Sequence, residues 1–264
     1  IRYWVKDIVT NVEGTITKTL LSATYDQNKY YNITANLDVK NYLGDKYYMW
    51  DAQEQYWKGH EWNLGGSQPT LSQGLTGATT SSDYAQSNTD PRYYNESYPG
   101  YVISNPATHS CKDLPNANEL SWYCKFGDPR WDDELWTTMG HLYKGGMWFK
   151  KKSVLQAEHH YDTEKSADGT TDLRTTYKSY GNSSSSINNS GLPSAADAGK
   201  YFYLPALGHY YLGKLYNVGN YGIYWSSSAY PWDSNNAYNL QFQSGDVSVV
   251  SGYRTNGLRV GGFE

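Results

Sequence analysis

Strict alternation of apolar and polar residues near the end of the chain limits its possible folds more than any other feature. The apolar positions are Tyr238, Leu240, Phe242, Val247 and Val249. Residues two apart share one face of a strand, so the pattern predicts a hairpin with one buried face and a turn at 244–245. The positions between them are under no such constraint. A rigid hairpin that displays variable residues suits recognition better than catalysis.

The composition favours a surface rich in partly exposed aromatic residues. The 264 residues include 28 Tyr and 10 Trp but only 5 Phe and 3 Met. Tyr and Trp carry a polar group on an apolar body, which suits binding faces better than dry cores. Charged residues make up only 18%, as is common in secreted and cell-surface β-rich proteins. The net charge of −4, with no Lys/Arg stripe, argues against a nucleic-acid partner.

Two further observations bear on where the protein acts. No stretch approaches the roughly 20 apolar residues of a membrane span, so we expect no direct membrane insertion. The chain begins at Ile1 without a signal peptide, so we expect a mature protein or an excised fragment.

Cys111 and Cys124 leave two alternatives open: a disulfide that closes a short loop, worth about 3 kcal/mol, or two buried free thiols.

The chain divides into a short β segment at 1–43 and a main domain at 44–264. Strand-like runs at 15–17 and 31–39, with a turn at 26–28, mark the first segment. Two or three strands cannot easily stand alone, so they either join the main sheet or end a preceding β-sandwich.

In the main domain we predict two helices, a strand and a long stretch of ordered loops, followed by strands and turns from Tyr201 to the end of the chain. The first helix runs from Pro115 to Lys125 with Asp113 as its N-cap, and the second runs over 132–141 because acidic residues favour a helix start. A strand is predicted over 145–160, and loops over 63–110.

The sequence offers little catalytic or metal-binding chemistry. Adjacent His159 and His160 on a strand would point to opposite faces and could not easily share one ion. The acids at 162–172 lack the alternating spacing of a calcium loop. No Gly-x-Ser-x-Gly elbow occurs, and the acids at 132–134 are adjacent, unlike a general acid/base pair. We therefore predict no catalytic and no metal-binding residues.

A helix start and five later motifs resemble, in their order and spacing, the bacterial major-paralogous (FISUMP) domains of C-type-lectin-like, formylglycine-generating-enzyme type. They are Leu114-Pro115-Asn116-Ala117-Asn118-Glu119-Leu120, Leu204-Pro205-Ala206-Leu207-Gly208, Tyr216-Asn217-Val218-Gly219-Asn220-Tyr221-Gly222, Tyr224-Trp225-Ser226-Ser227-Ser228, Asn236-Ala237-Tyr238 and Gly257-Leu258-Arg259-Val260. The resemblance covers 110–264 and the segment at 47–62, which is rich in aromatic residues.

This resemblance implies an α+β fold with two helices, small twisted antiparallel sheets and long ordered loops. It also implies a place at the C-terminus of surface proteins such as fimbrillin-type pilus tips, and residues 1–43 resemble the closing strands of a fimbrillin-like domain. The related oxidases need a cysteine pair near the chain end, but no cysteine follows Cys124. The sugar-coordinating motifs of calcium-dependent lectins are absent, and residues 231–233 resemble them only weakly. We therefore expect no cofactor, with a structural calcium left open.

In some lectin-fold proteins a diversity-generating retroelement rewrites adenines in the Asn codons of this hairpin. Val247, Val249, Gly257 and Leu258 would then be fixed scaffold. The residues reachable from an Asn codon in this way are Asp246, Ser248, Val250, Ser251, Gly252, Tyr253, Thr255 and Asn256. Ordinary drift on an exposed hairpin is the alternative.

Together these observations predict a secreted, non-enzymatic adhesin on the bacterial cell surface, as part of a pilus tip in the most concrete version. It would bind a protein or glycan ligand on a host or neighbouring cell through 229–234 and 246–256, and contact other pilus subunits. A structural pilin or envelope subunit without its own ligand is the first alternative, and an enzyme with a site at 63–110 the second. The predicted contact residues are Tyr230, Trp232, Asp233, Ser234, Asp246, Ser248, Val250, Ser251, Tyr253, Thr255 and Asn256.

Overall fold

The computed structural model describes residues 1–19, 24–30, 37–44, 46–64, 84–97, 107–184, 187 and 193–264. Strands account for 34% of the structure and helices for 9%, and the strands form several sheets. The fold is therefore β-rich, and the α+β prediction is wrong. The α+β prediction relied in part on a second helix that a run of acidic residues suggested; that run is described below.

The described elements follow one another along the chain as fourteen strands and two helices, with one 3-10 turn at Ala198–Lys200. The strands are β1 (Arg2–Lys6), β2 (Glu13–Thr17), β3 (Lys40–Asn41), β4 (Tyr47–Tyr48), β5 (Arg130–Thr138), β6 (His141–Lys150), β7 (Tyr180–Asn182), β8 (Tyr201–Pro205), β9 (His209–Tyr211), β10 (Lys214–Tyr216), β11 (Gly222–Ala229), β12 (Asn236–Gln243), β13 (Asp246–Tyr253) and β14 (Leu258–Arg259). The helices are α1 (Ala117–Phe126) and α2 (Lys152–Ala157).

Two larger sheets and two separate hairpins organise these strands. One sheet has six strands in the order β4-β14-β11-β12-β13-β7, and the other has four in the order β3-β5-β6-β8. Neighbours are antiparallel except for β11 with β14 and β3 with β5. Strands β1–β2 and β9–β10 form the two hairpins.

The predicted C-terminal hairpin is confirmed. In the register of β12 and β13, Gln243 pairs with Asp246, so Ser244 and Gly245 form the turn. The five alternating apolar residues are fully buried in one hydrophobic cluster, to which α1 and strands β6 and β8 of the four-stranded sheet also contribute. Trp225, part of one of the motifs that carry the family resemblance, is also fully buried.

Helix α1 is confirmed with a different start. Its N-cap is Asn116, whose side chain accepts from the backbone N–H of Glu119, while the Glu119 carboxylate accepts from the N–H of Asn116. This capping box satisfies two backbone donors at once, an advantage that the predicted N-cap Asp113 does not have. The cap places the first turn on the core, with Ala117 and Leu120 fully buried.

The second predicted helix is wrong, because residues 132–138 belong to β5. The acids that suggested a helix start instead accept hydrogen bonds from tryptophans on the sheet: Trp148 Nε1 donates to Asp132 over 3.1 Å, and Trp131 Nε1 donates to Asp133 over 2.9 Å. Pairing with β6 thus outweighs the helical preference of the acidic run. The predicted strand at 145–160 holds only as far as Lys150, and the segment then turns into α2.

The N-terminal segment contacts the four-stranded sheet. The predicted strand at 15–17 is confirmed within β2, whereas 31–36 of the predicted second strand lie outside the described residues. The Asp7 carboxylate accepts from the N–H of Leu142 over 2.9 Å, and Lys40 and Asn41 pair with β5. These contacts tie residues before 44 to the four-stranded sheet.

Both cysteines are buried free thiols, which decides between the two alternatives in favour of the second. Burial raises the pKa of each, to about 12 for Cys124. Among the described residues, no helix is long and apolar enough to cross a membrane.

Candidate ligand-binding cleft

A cleft of about 600 Å³ opens where the end of the hairpin meets β9, β11 and β14. Its volume falls within the roughly 300–1,000 Å³ that small-molecule sites occupy. The lining residues are His209, Asn217, Tyr221, Ile223, Asp233, Asn236, Asn239, Gln241, Ser251, Gly252, Tyr253, Asn256 and Leu258.

Backbone pairing between distant segments assembles this cleft. The N–H and C=O of Tyr210 both bond to Gly257, over 2.8 and 2.9 Å, and this antiparallel bridge brings His209 opposite Leu258. Position 257 requires glycine, because a Cβ there would lie 2.5 Å from the Tyr56 ring. The N–H of Gly208 donates to Tyr221 O over 2.7 Å and fixes one wall of the cleft.

The floor follows from the same alternation that buries the hairpin's apolar face. Tyr238, Leu240 and Phe242 face the core, so Asn239 and Gln241 between them face the other side and line the cleft. Asn239 is nevertheless only 2% exposed. An amide is thereby buried at the bottom of a polar cavity.

Three residues that line this cleft each carry a buried polar atom without a hydrogen-bond partner. These atoms are Oδ1 of Asn239, Oδ1 of Asn256 and Nδ1 of His209. Folded proteins satisfy the large majority of such atoms, and each exception requires an explanation. Their convergence on one cavity points to a ligand that supplies the missing hydrogen bonds.

The described lining residues of the cleft carry little charge. Burial lowers the pKa of His209 to about 4, so its imidazole is neutral at physiological pH. Asp233 is the only carboxylate among the described lining residues, and both of its oxygens are occupied: Oδ1 accepts from the N–H of Asn235 over 2.8 Å, and Oδ2 from Nδ2 of Asn236 over 2.6 Å. The arrangement can hold polar, uncharged groups.

A buried arginine anchors the rim. Arg254 is fully buried, and its guanidinium lies over the Trp50 ring at 4.6 Å from the centroid. Its Nε donates to Asn236 O over 2.9 Å, and its backbone N–H donates to Asn235 O over 2.8 Å. Burial lowers the pKa of Arg254 to about 10. Arg254 therefore fixes the loop before β12 relative to the end of β13.

A partly exposed aromatic patch involves the loop that leads into β12. The Tyr177 ring packs on Trp232 at 5.2 Å and edge-on to Tyr230 at 5.4 Å, and Tyr230 in turn contacts buried Tyr238. Trp232 is 55% exposed, whereas Tyr230 is half-buried against the core. Of the two predicted anchors in this loop, Trp232 is thus the freer to contact a ligand.

The predicted contact residues fall into three groups. Four of them line the cleft, two belong to the aromatic patch, and five lie elsewhere on the hairpin face. The cleft residues are Asp233, Ser251, Tyr253 and Asn256; the patch residues are Tyr230 and Trp232; the others are Ser234, Asp246, Ser248, Val250 and Thr255.

The five residues outside the cleft and the patch remain partly or fully accessible. Asp246, Ser248 and Val250 alternate with buried Val247 and Val249, so they lie on the opposite face of β13. Ser248 and Val250 pair in register with Gln241 and Asn239, which places them along the outer edge of the cleft. Ser234 is exposed and Thr255 half-buried in the loops that flank the hairpin.

Sequence reasoning missed several residues of this site. The alternation could have identified Asn239 and Gln241, because two amides stand between three buried aromatic or aliphatic residues. For His209, Asn217, Tyr221 and Tyr177 the sequence carries no signal, because distant backbone pairing or ring packing brings them to the hairpin. Among the described residues, no group of three or more His, Cys, Asp or Glu side chains could hold a metal ion.

No protein-family model matches this chain, and neither does any curated protein sequence or any solved structure. The function is therefore argued from the geometry of the cleft and the patch.

Proposed function

We propose that this chain is a secreted, non-enzymatic recognition protein of the bacterial cell surface. It binds a protein or glycan ligand through the cleft and the adjoining aromatic patch, most concretely as an adhesin at a pilus tip. The observation that carries this proposal is the convergence of three unpartnered buried polar atoms on one cavity, at the hairpin face. The resemblance of 110–264 to C-type-lectin-like FISUMP domains agrees with it.

Exposed aromatic residues at the rim support the same proposal. Tyr253 is 58% exposed beside the cleft, and Trp232 is nearly as exposed on the patch. Large aromatic side chains lose little conformational entropy on binding and often anchor a ligand. The cleft and the patch share the loop before β12, since Asp233 lines the cleft and Trp232 belongs to the patch.

A structural subunit is the second candidate, favoured by the β1–β2 hairpin. Trp4 and Ile8 of this hairpin are 65% and 92% exposed. Exposed apolar residues of this size suit packing against a neighbouring subunit. The two roles are compatible, since this hairpin and the cleft are built from different segments.

Adhesion of the purified protein to host and bacterial cells tests the proposal. Trp232→Ala and Tyr253→Ala should each reduce adhesion about tenfold or more, as expected of aromatic anchors. Trp4→Ala, Tyr25→Ala and Tyr30→Ala are matched controls, since these aromatic residues are also exposed but lie far along the chain from the hairpin. Unchanged adhesion by folded Trp232→Ala and Tyr253→Ala, or an equal loss in the controls, would show that the binding face is elsewhere.

The retroelement hypothesis has a separate test. A template copy of the segment encoding 224–260, rich in Asn codons and next to a reverse transcriptase gene, would support diversification. Neighbouring pilin genes without such a template would favour the structural subunit.

A further inference from the structure

We infer that the cleft binds an uncharged saccharide through its hydroxyl groups. This inference rests on the proposed function and takes it further, because it names the class of ligand and the atoms that receive it. It depends on three properties of the described lining: the unpartnered atoms, the absence of a Lys or Arg side chain, and the aromatic walls.

The unpartnered atoms match hydroxyl chemistry. Oδ1 of Asn239 and Oδ1 of Asn256 are amide oxygens and can only accept a hydrogen bond. Nδ1 of His209 accepts or donates according to the tautomer of the neutral ring. A hydroxyl group both donates and accepts, so several hydroxyls on one ring can satisfy all three atoms. A backbone amide supplies a single donor per residue and matches the arrangement less well.

The charge environment disfavours an anionic ligand. No Lys or Arg is among the described lining residues, and Asp233 is a carboxylate that receives hydrogen bonds only from neutral groups of its loop. A sialic acid carboxylate would therefore enter without a counter-charge and in the presence of a negative charge. Burying an unpaired charge costs far more than burying a hydrogen-bonded hydroxyl.

The walls provide apolar surface for the carbon faces of a sugar ring. Tyr221, just before β11, and Tyr253, at the end of β13, line the cleft, and Ile223 and Leu258 contribute apolar contacts. Side-chain rotation on binding is common. Asn256 and His209 are only partly buried as residues, so small rotations bring their free atoms towards a ligand.

The test combines a glycan array with titrations of the intact protein. The array carries neutral, sialylated and sulfated glycans, and the titrations use neutral methyl hexosides, methyl N-acetylglucosaminide and free sialic acid, followed by saturation-transfer NMR. We expect saturable binding of at least one neutral saccharide and none of sialic acid. Asn256→Ala and His209→Phe should each weaken that binding about tenfold, the effect of one lost hydrogen bond in a buried site.

The matched control is Asn220→Ala, since Asn220 is exposed and near the cleft but does not line it. This variant should bind like the original protein. Near-ultraviolet circular dichroism confirms that each variant is folded, and Asn239→Leu, which removes another unpartnered oxygen, serves as a second variant if Asn256→Ala does not fold.

Three results would overturn the inference. One is the absence of any neutral saccharide binding on the array and in the titrations. Another is equal binding of sialylated or sulfated glycans. The last is protease-sensitive adhesion that needs Trp232 and Tyr253 but not His209 or Asn256; a protein would then be the ligand, and the proposed recognition function would stand without a saccharide.

Discussion

The side chain of Asn239 packs directly against the backbone of Gly252: a Cβ at position 252 would lie 2.8 Å from Nδ2 of Asn239. Both residues line the cleft, one from β12 and the other from β13. The absence of a side chain at 252 thus allows the buried amide to occupy the cleft floor. This gives Gly252 a packing role, although its codon is among those that a retroelement could change.

Gly252→Ala should therefore displace Asn239 and weaken ligand binding about tenfold, with a loss of about 1–2 kcal/mol in the free energy of unfolding from overpacking. Binding titration and urea denaturation measure the two effects. Gly181→Ala is the control, because a Cβ at position 181 has no neighbour within 4 Å and should change neither quantity. Wild-type binding by Gly252→Ala would refute the role given to this contact.

His209 should make the protein less stable in mild acid. An unfolded histidine titrates near pH 6.5, whereas burial lowers the pKa of His209 to about 4. Between these values the unfolded chain binds a proton that the folded chain does not. Stability should therefore fall as the pH drops from about 6.5 to 4, by up to about 3 kcal/mol, and this contribution should level off below pH 4.

His209→Phe should remove that part of the pH dependence, measured as the free energy of urea unfolding between pH 7 and 4. The control is His159→Asn, since His159 is exposed and its φ of 61° is tolerated by asparagine. It should keep the original slope. An unchanged slope in His209→Phe would mean that His209 does not carry the effect.

Local patterns in the sequence predicted what local forces determine. The hairpin followed from alternation between Tyr238 and Val249, since a turn and two strands need only neighbouring residues to pair. Helix α1 was also predictable, although the Asn116–Glu119 capping box indicates its start better than Asp113 does.

Long-range pairing explains what could not be predicted. Asp132 and Asp133 have the local features of a helix start, but the pairing of β5 with β6 places them in a sheet, where the indole of Trp148 donates to Asp132. Likewise, His209 joins the cleft only because the neighbouring Tyr210 pairs with Gly257. Each depends on contacts that no local pattern encodes, and a helical propensity of a few tenths of a kcal/mol per residue cannot oppose them.

Asp51 should be a major contributor to stability. Its fully buried carboxylate accepts from the backbone N–H of Thr108 (2.9 Å), His109 (2.7 Å) and Cys111 (3.2 Å), and from Nδ2 of Asn95 (2.9 Å). These bonds tie the turn after Trp50 to the segment that leads into α1.

Asp51→Asn keeps the shape and tolerates the φ of 53°, but its amide nitrogen cannot accept the same hydrogen bonds. We expect a loss of about 2–4 kcal/mol, measured by urea denaturation at pH 7. Asp113→Asn, whose carboxylate is 88% exposed, should change stability by less than about 0.5 kcal/mol. A similarly small effect of Asp51→Asn would contradict the stabilising role given to these hydrogen bonds.

The most direct test of a ligand-binding cleft is Asn239→Leu, measured for stability and for binding on the same sample. If Oδ1 of Asn239 is held unpartnered for a ligand, removing this buried polar group should leave the free energy of unfolding unchanged or raise it by about 1 kcal/mol. Binding at the hairpin face should at the same time be lost. A loss of about 2 kcal/mol or more in stability, or full binding by the folded variant, would contradict the account.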